Sequence, residues 1–215
     1  MAAFYRKDCE LFNIPVMSST SKPLTVFFDR DGTLNQDVGY LDSAEDLIVF
    51  PGVPEALARL NEAGGVVVLV TNQSGVARGL ILEDNLARIH EALQQSIQAA
   101  GGCIAGWYIC PHHPNEGCAC RKPKNRLVKQ AVAELNLDLT HSYVVGDKDS
   151  DMQLAYNIGA VGVLVTTSSH SDKALTYVSS GVLSRSYVAS GVPEAVEWIL
   201  ADARRHMSEP CLNES

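Results

Sequence analysis

A doubly wound α/β fold, a parallel sheet with helices on both faces, is what this sequence predicts, and three observations predict it. Short apolar runs alternate along the chain with stretches of helical periodicity, the pattern that produces crossover connections and parallel strands. The runs are near-continuous in Val, Leu and Phe rather than alternating, as in strands buried on both faces. Four of them end in polar clusters: Asp29/Asp31, Thr71/Asn72, a group of cysteines beginning at Cys110, and Asp147. Ligands of such sheets sit beyond the carboxyl ends of the strands, so the clusters predict one shared site.

Taken in order, residues 1–23 are mixed in composition and predict a loose N-terminal arm. An apolar run at 24–28 is the first strand, bounded by Pro23 and Gly32. Pro51-Gly52-Val53-Pro54 opens a helix with Val53, Ala56, Leu57 and Leu60 at helical spacing, stopped by Gly64-Gly65. A strand at 66–70 follows, then a helix over 83–100 stopped by Gly101-Gly102. Trp107-Tyr108-Ile109 reads as a strand, and Leu127, Val128, Ala131, Val132 and Leu135 as one face of a helix. A strand at 143–145, a helix at 150–158, a strand at 161–165 and a helix at 192–203 close the domain, which spans 24–205 and leaves a tail at 206–215. No repeat or low-complexity tract interrupts this order.

Composition narrows the classes of function. A formal net charge of −8 disfavours a nucleic acid as main partner, because tracking a phosphate backbone needs a basic face. No apolar run reaches the roughly 18–20 residues of a membrane span. The first 22 residues lack the continuous apolar core of a signal peptide. Six cysteines are few for a disulfide scaffold in a chain of 215 residues. The expectation is a monomeric cytoplasmic protein with a small-molecule substrate, neither membrane-bound nor nucleic-acid-bound.

The residue types at the strand ends carry the chemistry. Asp29 and Asp31, at i and i+2, leave a strand on one face. Two anions so placed repel unless one keeps a proton or a cation joins them, and an oxygen-rich site suits magnesium; an Asp-rich turn is the plainer alternative. Thr71-Asn72 is either a turn signal or, with the backbone N–H groups around Ser74-Gly75, a cradle for phosphate oxygens. Arg121-Lys122-Pro123-Lys124 concentrates cations in an acidic protein, as a solvated loop or as a phosphate site. Asp147 at a strand end is hard to explain as a helix cap, whereas Asp149 or Asp151 fits one. Cys110-Pro111-His112-His113, followed by Cys118-Ala119-Cys120, offers the ligands of a tetrahedral zinc. Reduced thiols or a local disulfide are the alternatives, and spacing does not choose between His112 and His113. Cys9, Cys103 and Cys211 read as ordinary residues.

Asp29-Arg30-Asp31-Gly32-Thr33-Leu34 resembles the first motif of the haloacid dehalogenase (HAD) phosphatase superfamily, and Thr71, Lys122 and Asp147 fall where its later motifs stand. The resemblance implies a Rossmann-type sheet with Asp29 as covalent nucleophile and Asp31 as general acid and base. It implies Thr71 and Lys122 as stabilisers of the phosphoryl group. Magnesium would then be held by Asp29, Asp31 and Asp147, with Asp151 at one remove. Asp37-Val38-Gly39-Tyr40, Thr71 to Gly79, and the cysteine loop running into Arg121-Lys122-Pro123 resemble the zinc-loop branch of that superfamily. This branch holds heptose 1,7-bisphosphate 7-phosphatases and histidinol-phosphate phosphatases. It assigns zinc to Cys110, His112, Cys118 and Cys120, and substrate contacts to Asp37, Gly39, Tyr40, Thr71, Asn72, Arg121, Lys122 and Lys148. The intervals Asp31 to Thr71 and Thr71 to Lys122 are each filled by a helix, a strand and loops, so no cap domain is expected. A sugar bisphosphate is the expected substrate, with further cations at Lys124 and Arg126; histidinol phosphate, a non-catalytic sugar-phosphate binder and a zinc-centred interaction module are the alternatives.

Overall fold

The computed structural model describes residues 3–5 and 23–207. Its strands are β1 (Ala3–Tyr5), β2 (Thr25–Phe28), β3 (Val66–Asn72), β4 (Gly106–Cys110), β5 (Ser142–Gly146), β6 (Val161–Val165) and β7 (Ser186–Ala189). They form one sheet of order β1-β4-β3-β2-β5-β6-β7. From β4 through β7 every neighbouring pair is parallel, and β1 lies antiparallel on the edge of β4. The helices are α1 (Val53–Glu62), α2 (Ser74–Ala77), α3 (Glu83–Ala99), α4 (Arg126–Leu135), α5 (Asp149–Ile158), α6 (Ser171–Ser179) and α7 (Val192–Met207). None of them is long and apolar enough to cross a membrane.

Period-two alternation divides the core into two layers. Val26 and Phe28 of β2, Val67 and Leu69 of β3, and Tyr143 and Val145 of β5 face one side. There they meet Leu57 and Leu60 of α1, Leu93 and Ile97 of α3, and Ile199 of α7. Phe27, Val68, Val70 and Val144 face the other side, against Leu127, Val128 and Ala131 of α4 and Met152 and Ala155 of α5. Each large side chain taken fully out of water contributes about 1.5–3 kcal/mol. The central strand β2 is therefore apolar on both faces and paired on both edges, which leaves its carboxyl end as its one outlet to polar groups.

Several elements depart from the expectation. Residues 3–5 add a strand to the sheet where a loose arm was expected; residues 6–22 lie outside the described residues. The helix Ser171–Ser179 and the strand Ser186–Ala189 were not foreseen. The helix carries polar residues through most of its length and buries Ser171 and Ala174, and the strand lies half-exposed at an edge. The helix α7 runs past the expected boundary to Met207, and the tail beyond it lies outside the described residues. Buried Cys103, read as an ordinary residue, is disulfide-bonded, whereas Cys110, Cys118 and Cys120 are free thiols.

Candidate active site and metal centres

Asp29 follows the last residue of β2, and its backbone N–H donates to Val145 O at 3.0 Å, fixing it level with the end of β5. Its Oδ1 accepts from Arg30 N at 2.8 Å and pairs with Lys122 Nζ at 2.9 Å. Burial opposes ionisation of Asp29, but Lys122 and Lys148 outweigh it and hold the carboxyl below its ordinary value. Lys122 is itself buried; it stays charged because Asp151 Oδ1 at 2.7 Å and Asp29 overcome the desolvation. Asn72, at the end of β3, clasps the backbone of Lys122: its Oδ1 accepts from Lys122 N at 3.0 Å and its Nδ2 donates to Lys122 O at 3.3 Å. The Lys122–Pro123 peptide bond is cis.

Asp31 sits differently from the expectation. Its carboxylate takes a bidentate pair from Arg30, Nε at 2.9 Å and Nη2 at 2.8 Å, with Asn35 Nδ2 at 3.0 Å and Gln73 Nε2 at 2.8 Å. With both oxygens so engaged, Asp31 stands outside the carboxylate group that can hold a metal, which consists of Asp29, Asp147 and Asp151. Burial pushes the Asp31 carboxyl up, but Arg30 first, then Asn35 and Gln73, bring it below its ordinary value. Behind Arg30 lies His90, whose Nε2 is 3.1 Å from Arg30 Nη1. Burial and the guanidinium keep that imidazole neutral, so Nε2 accepts. Arg30 and Gln73 stand inside the motifs read from the sequence; His90 could have been noticed as the polar member of the buried stripe Leu86, Ile89, His90, Leu93.

The ligand oxygens of Asp29, Asp147 and Asp151 lie within 4.8 Å of one another, all buried. Asp151, expected at one remove from the metal, is part of this group. Burial, then Asp29 and Asp147, push its carboxyl up to about 7 against the pull of Lys122. Asp147 is likewise raised, by burial and then by Asp29. Carboxylates that raise one another in this way are the donor set a hard divalent cation suits. Two hydroxyls orient Asp147: Thr33 Oγ1, within the first motif, donates to Oδ1 at 3.3 Å, and Ser168 Oγ, which no motif flagged, donates to Oδ2 at 2.5 Å. Gly32 adopts φ +82°, and a Cβ there would lie 2.3 Å from Asp147 Oδ2. Glycine is therefore required twice, for the backbone and for the space.

The remaining expected residues divide. Lys148 Nζ enters the site, 3.1 Å from Asp37 Oδ2, and its ammonium form is favoured because Asp29, Asp147 and Asp37 outweigh the desolvation. Thr71 is buried and its Oγ1 accepts from Gln73 Nε2 at 3.0 Å. Arg121 is half-buried, with Nη1 enclosed and no hydrogen-bond partner among the described residues. Gly39 and Tyr40 lie exposed on the rim. Lys124, expected to face substrate, instead donates to Gly117 O at 2.8 Å and Cys118 O at 2.5 Å.

Those carbonyls belong to the cysteine loop. Sulfur–sulfur distances among Cys110, Cys118 and Cys120 are 3.3–3.6 Å, and His112 Nδ1 lies 3.7 Å from Cys110 Sγ and 3.1 Å from Cys120 Sγ. A tetrahedron with metal–sulfur bonds of about 2.3 Å has edges of roughly 3.8 Å, so the donor set fits zinc. His113 is spent elsewhere: its Nδ1 accepts from Asn115 N at 3.2 Å, capping the short turn Pro114–Glu116.

An ionised, lysine-paired carboxylate at a strand end, within a carboxylate trio that could hold a metal ion, is suited to phosphoryl chemistry, so fold and site together point to the phosphohydrolases. The model of the HAD-hydrolase-like family matches residues 119–195. A D-glycero-β-D-manno-heptose-1,7-bisphosphate 7-phosphatase of Yersinia pestis is 45% identical over 151 residues, 66% of this chain and 80% of that one. A D-glycero-D-manno-heptose-1,7-bisphosphate 7-phosphatase of Thermosynechococcus vestitus is 39% identical over 185 residues, 81% and 94% of the two chains. The crystal structure of D,D-heptose 1,7-bisphosphate phosphatase from B. bronchiseptica, complexed with magnesium and phosphate, superposes with a TM-score of 0.76 at 34% identity, covering 83% of this chain and 99% of that one. The chain belongs to the HAD-like hydrolases and, within them, to the heptose 1,7-bisphosphate 7-phosphatase family.

Proposed function

We propose that the chain removes the 7-phosphate of D-glycero-D-manno-heptose 1,7-bisphosphate through an aspartyl-phosphate, with magnesium at Asp29, Asp147 and Asp151 and a structural zinc at Cys110, His112, Cys118 and Cys120. The observation that carries the reading is the ionised Asp29 held by Lys122 beside the carboxylate trio. Relatives that bear the heptose name, one of them complexed with magnesium and phosphate, support the substrate and the catalytic metal. The tetrahedral spacing of the cysteine loop supports zinc.

In the first half-reaction an Asp29 carboxylate oxygen bonds to phosphorus as the bond to the sugar oxygen breaks, and Asp31 gives that oxygen its proton. In the second, a water oxygen bonds to phosphorus, its proton goes to Asp31, and the Asp29–phosphorus bond breaks to release phosphate. The grip of Arg30 keeps Asp31 ionised in the free chain, which suits the second role; the like charge of an arriving phosphate raises the carboxyl toward the first. Lys122 and Thr71 meet the negative charge on the transferring group. Magnesium, when bound, supplies further neutralisation of that charge.

The enclosed Arg121 Nη1, without a hydrogen-bond partner among the described residues, supports contact with a phosphate oxygen. The guanidinium of Arg121 suits a second phosphate and disfavours the ammonium of histidinol phosphate. The expected result is a kcat/KM for the heptose bisphosphate at least about tenfold above that for histidinol phosphate, roughly 1.4 kcal/mol of transition-state binding. Equal values under the same magnesium concentration would overturn the substrate and leave the phosphatase chemistry standing.

Gly32→Ala tests the metal site. With its Cβ directed into Asp147, the variant is expected to need roughly 10–100-fold more magnesium for half-maximal phosphate release. An unchanged requirement would show that Asp147 is not a ligand.

A further inference from the structure

Lys148 makes contacts that phosphate binding does not explain. Its Nζ lies among four oxygens: Asp31 O at 3.1 Å, Asp37 Oδ2 at 3.1 Å, Asp147 Oδ1 at 3.7 Å and Asp29 Oδ2 at 3.9 Å. Two of these belong to the carboxylates proposed to hold magnesium. The other lysine of the site, Lys122, occupies the opposite side, on Asp29 Oδ1 and Asp151 Oδ1. Two ammonium groups thus do for three buried carboxylates what a divalent cation would do.

The two lysines are not equally free. Lys122 has a side chain only 2% exposed, and its backbone is clasped by Asn72. Lys148 has a side chain 27% exposed on a flexible stem. Asp37, which takes no part in the carboxylate trio, already pairs with its ammonium at 3.1 Å, closer than Asp147 or Asp29, and can retain it. A dication between Asp29 and Asp147 repels an ammonium within 4 Å of both, and Lys148, unlike the enclosed Lys122, has room to withdraw.

Building on the magnesium site proposed above, we infer that Lys148 is a tethered placeholder for the metal: its ammonium neutralises Asp29 and Asp147 in the metal-free chain and is expelled toward Asp37 when the divalent cation binds. Expulsion turns a charge that was competing with magnesium into one that faces the mouth of the site, where an incoming phosphate meets it. Metal loading and phosphate affinity are thereby coupled through one side chain, with no movement of the backbone.

The test uses magnesium chloride alone, without substrate, titrated calorimetrically into the metal-free wild type and Lys148→Met, with melting temperatures of both in the metal-free and magnesium-loaded states. Lys148→Met is expected to bind magnesium about tenfold more tightly, ~1.4 kcal/mol. Its melting temperature should fall in the metal-free state and match the wild type when loaded. Repulsion by a lysine that never moved would instead leave the loaded variant more stable than the loaded wild type, overturning the proposal. Unchanged or weaker affinity would overturn it too. A wild type that binds no magnesium removes the metal site itself, and the placeholder with it. Lys148→Gln, which keeps a polar group, repeats the comparison if the methionine variant does not fold.

Discussion

Asp29→Asn is expected to leave a folded protein whose phosphate release has fallen on the order of 10⁴-fold or more, the scale seen when an acting nucleophile is removed. A carboxamide is neutral and a poor nucleophile, and it forms no stable bond to phosphorus. The fold should tolerate the change for local reasons. Asn at this position can still accept from Arg30 N, Lys122 retains Asp151 at 2.7 Å, and the loss of one anion relieves Asp147 and Asp151 of a like charge. Turnover within tenfold of wild type, with an unchanged circular-dichroism melt, would show that another group attacks phosphorus.

The second large effect is expected at the cysteine loop. Cys118→Ser should reduce bound zinc well below one per chain, measured by elemental analysis of protein purified without chelator. It should raise KM by roughly tenfold or more, with a smaller fall in kcat, since losing one thiolate from a closed tetrahedral site loosens the whole loop. The split follows from how the two neighbouring cations are held. Lys122 has a second attachment through Asn72 at the end of β3 and keeps its place beside Asp29. Arg121 directly follows Cys120 and, among the described residues, has no hydrogen-bond partner at its enclosed Nη1, so the loosened loop carries it away. Zinc-free wild-type protein with an unaltered KM would overturn the structural role of the metal.

Much of this was legible in the sequence because the central strands are simple. A strand covered on both faces has to be apolar throughout, and 24–28, 66–70 and 161–165 announce themselves that way. Asp29, Thr71 and Asp147 were legible as candidates because each stands at the carboxyl end of a buried strand, whereas Lys122 follows β4 only after the cysteine loop. What escaped notice lies where burial relaxes: the edge strand Ser186–Ala189 and the helix Ser171–Ser179 need few apolar residues, so periodicity is weak there. Contacts that depend on long-range packing also escaped. Nothing local marks Ser168 as a partner of Asp147 or His90 as a partner of Arg30. Adjacency does not reveal how the Asp31 carboxylate and Lys124 are held. Both sit within motifs whose neighbours face the site, yet Arg30 captures the Asp31 carboxylate and the cysteine-loop carbonyls capture Lys124.

The sheet order has a consequence for how the protein comes into being. The strand that carries Asp29 emerges early in synthesis but lies between β3 and β5, and Asp147 and Ser168 follow only after β5 and β6. A ribosome-bound chain that has not yet exposed β5 holds Asp29, the proposed nucleophile, on a strand with one bare edge, without the carboxylates that complete the proposed cation site. Sequence-distant pairings of this kind form late, after loop closure has been overcome. Prematurely terminated products and half-unfolded chains should therefore be inert toward cellular phosphate esters, so that hydrolytic competence certifies a chain completed and folded to its last parallel strands.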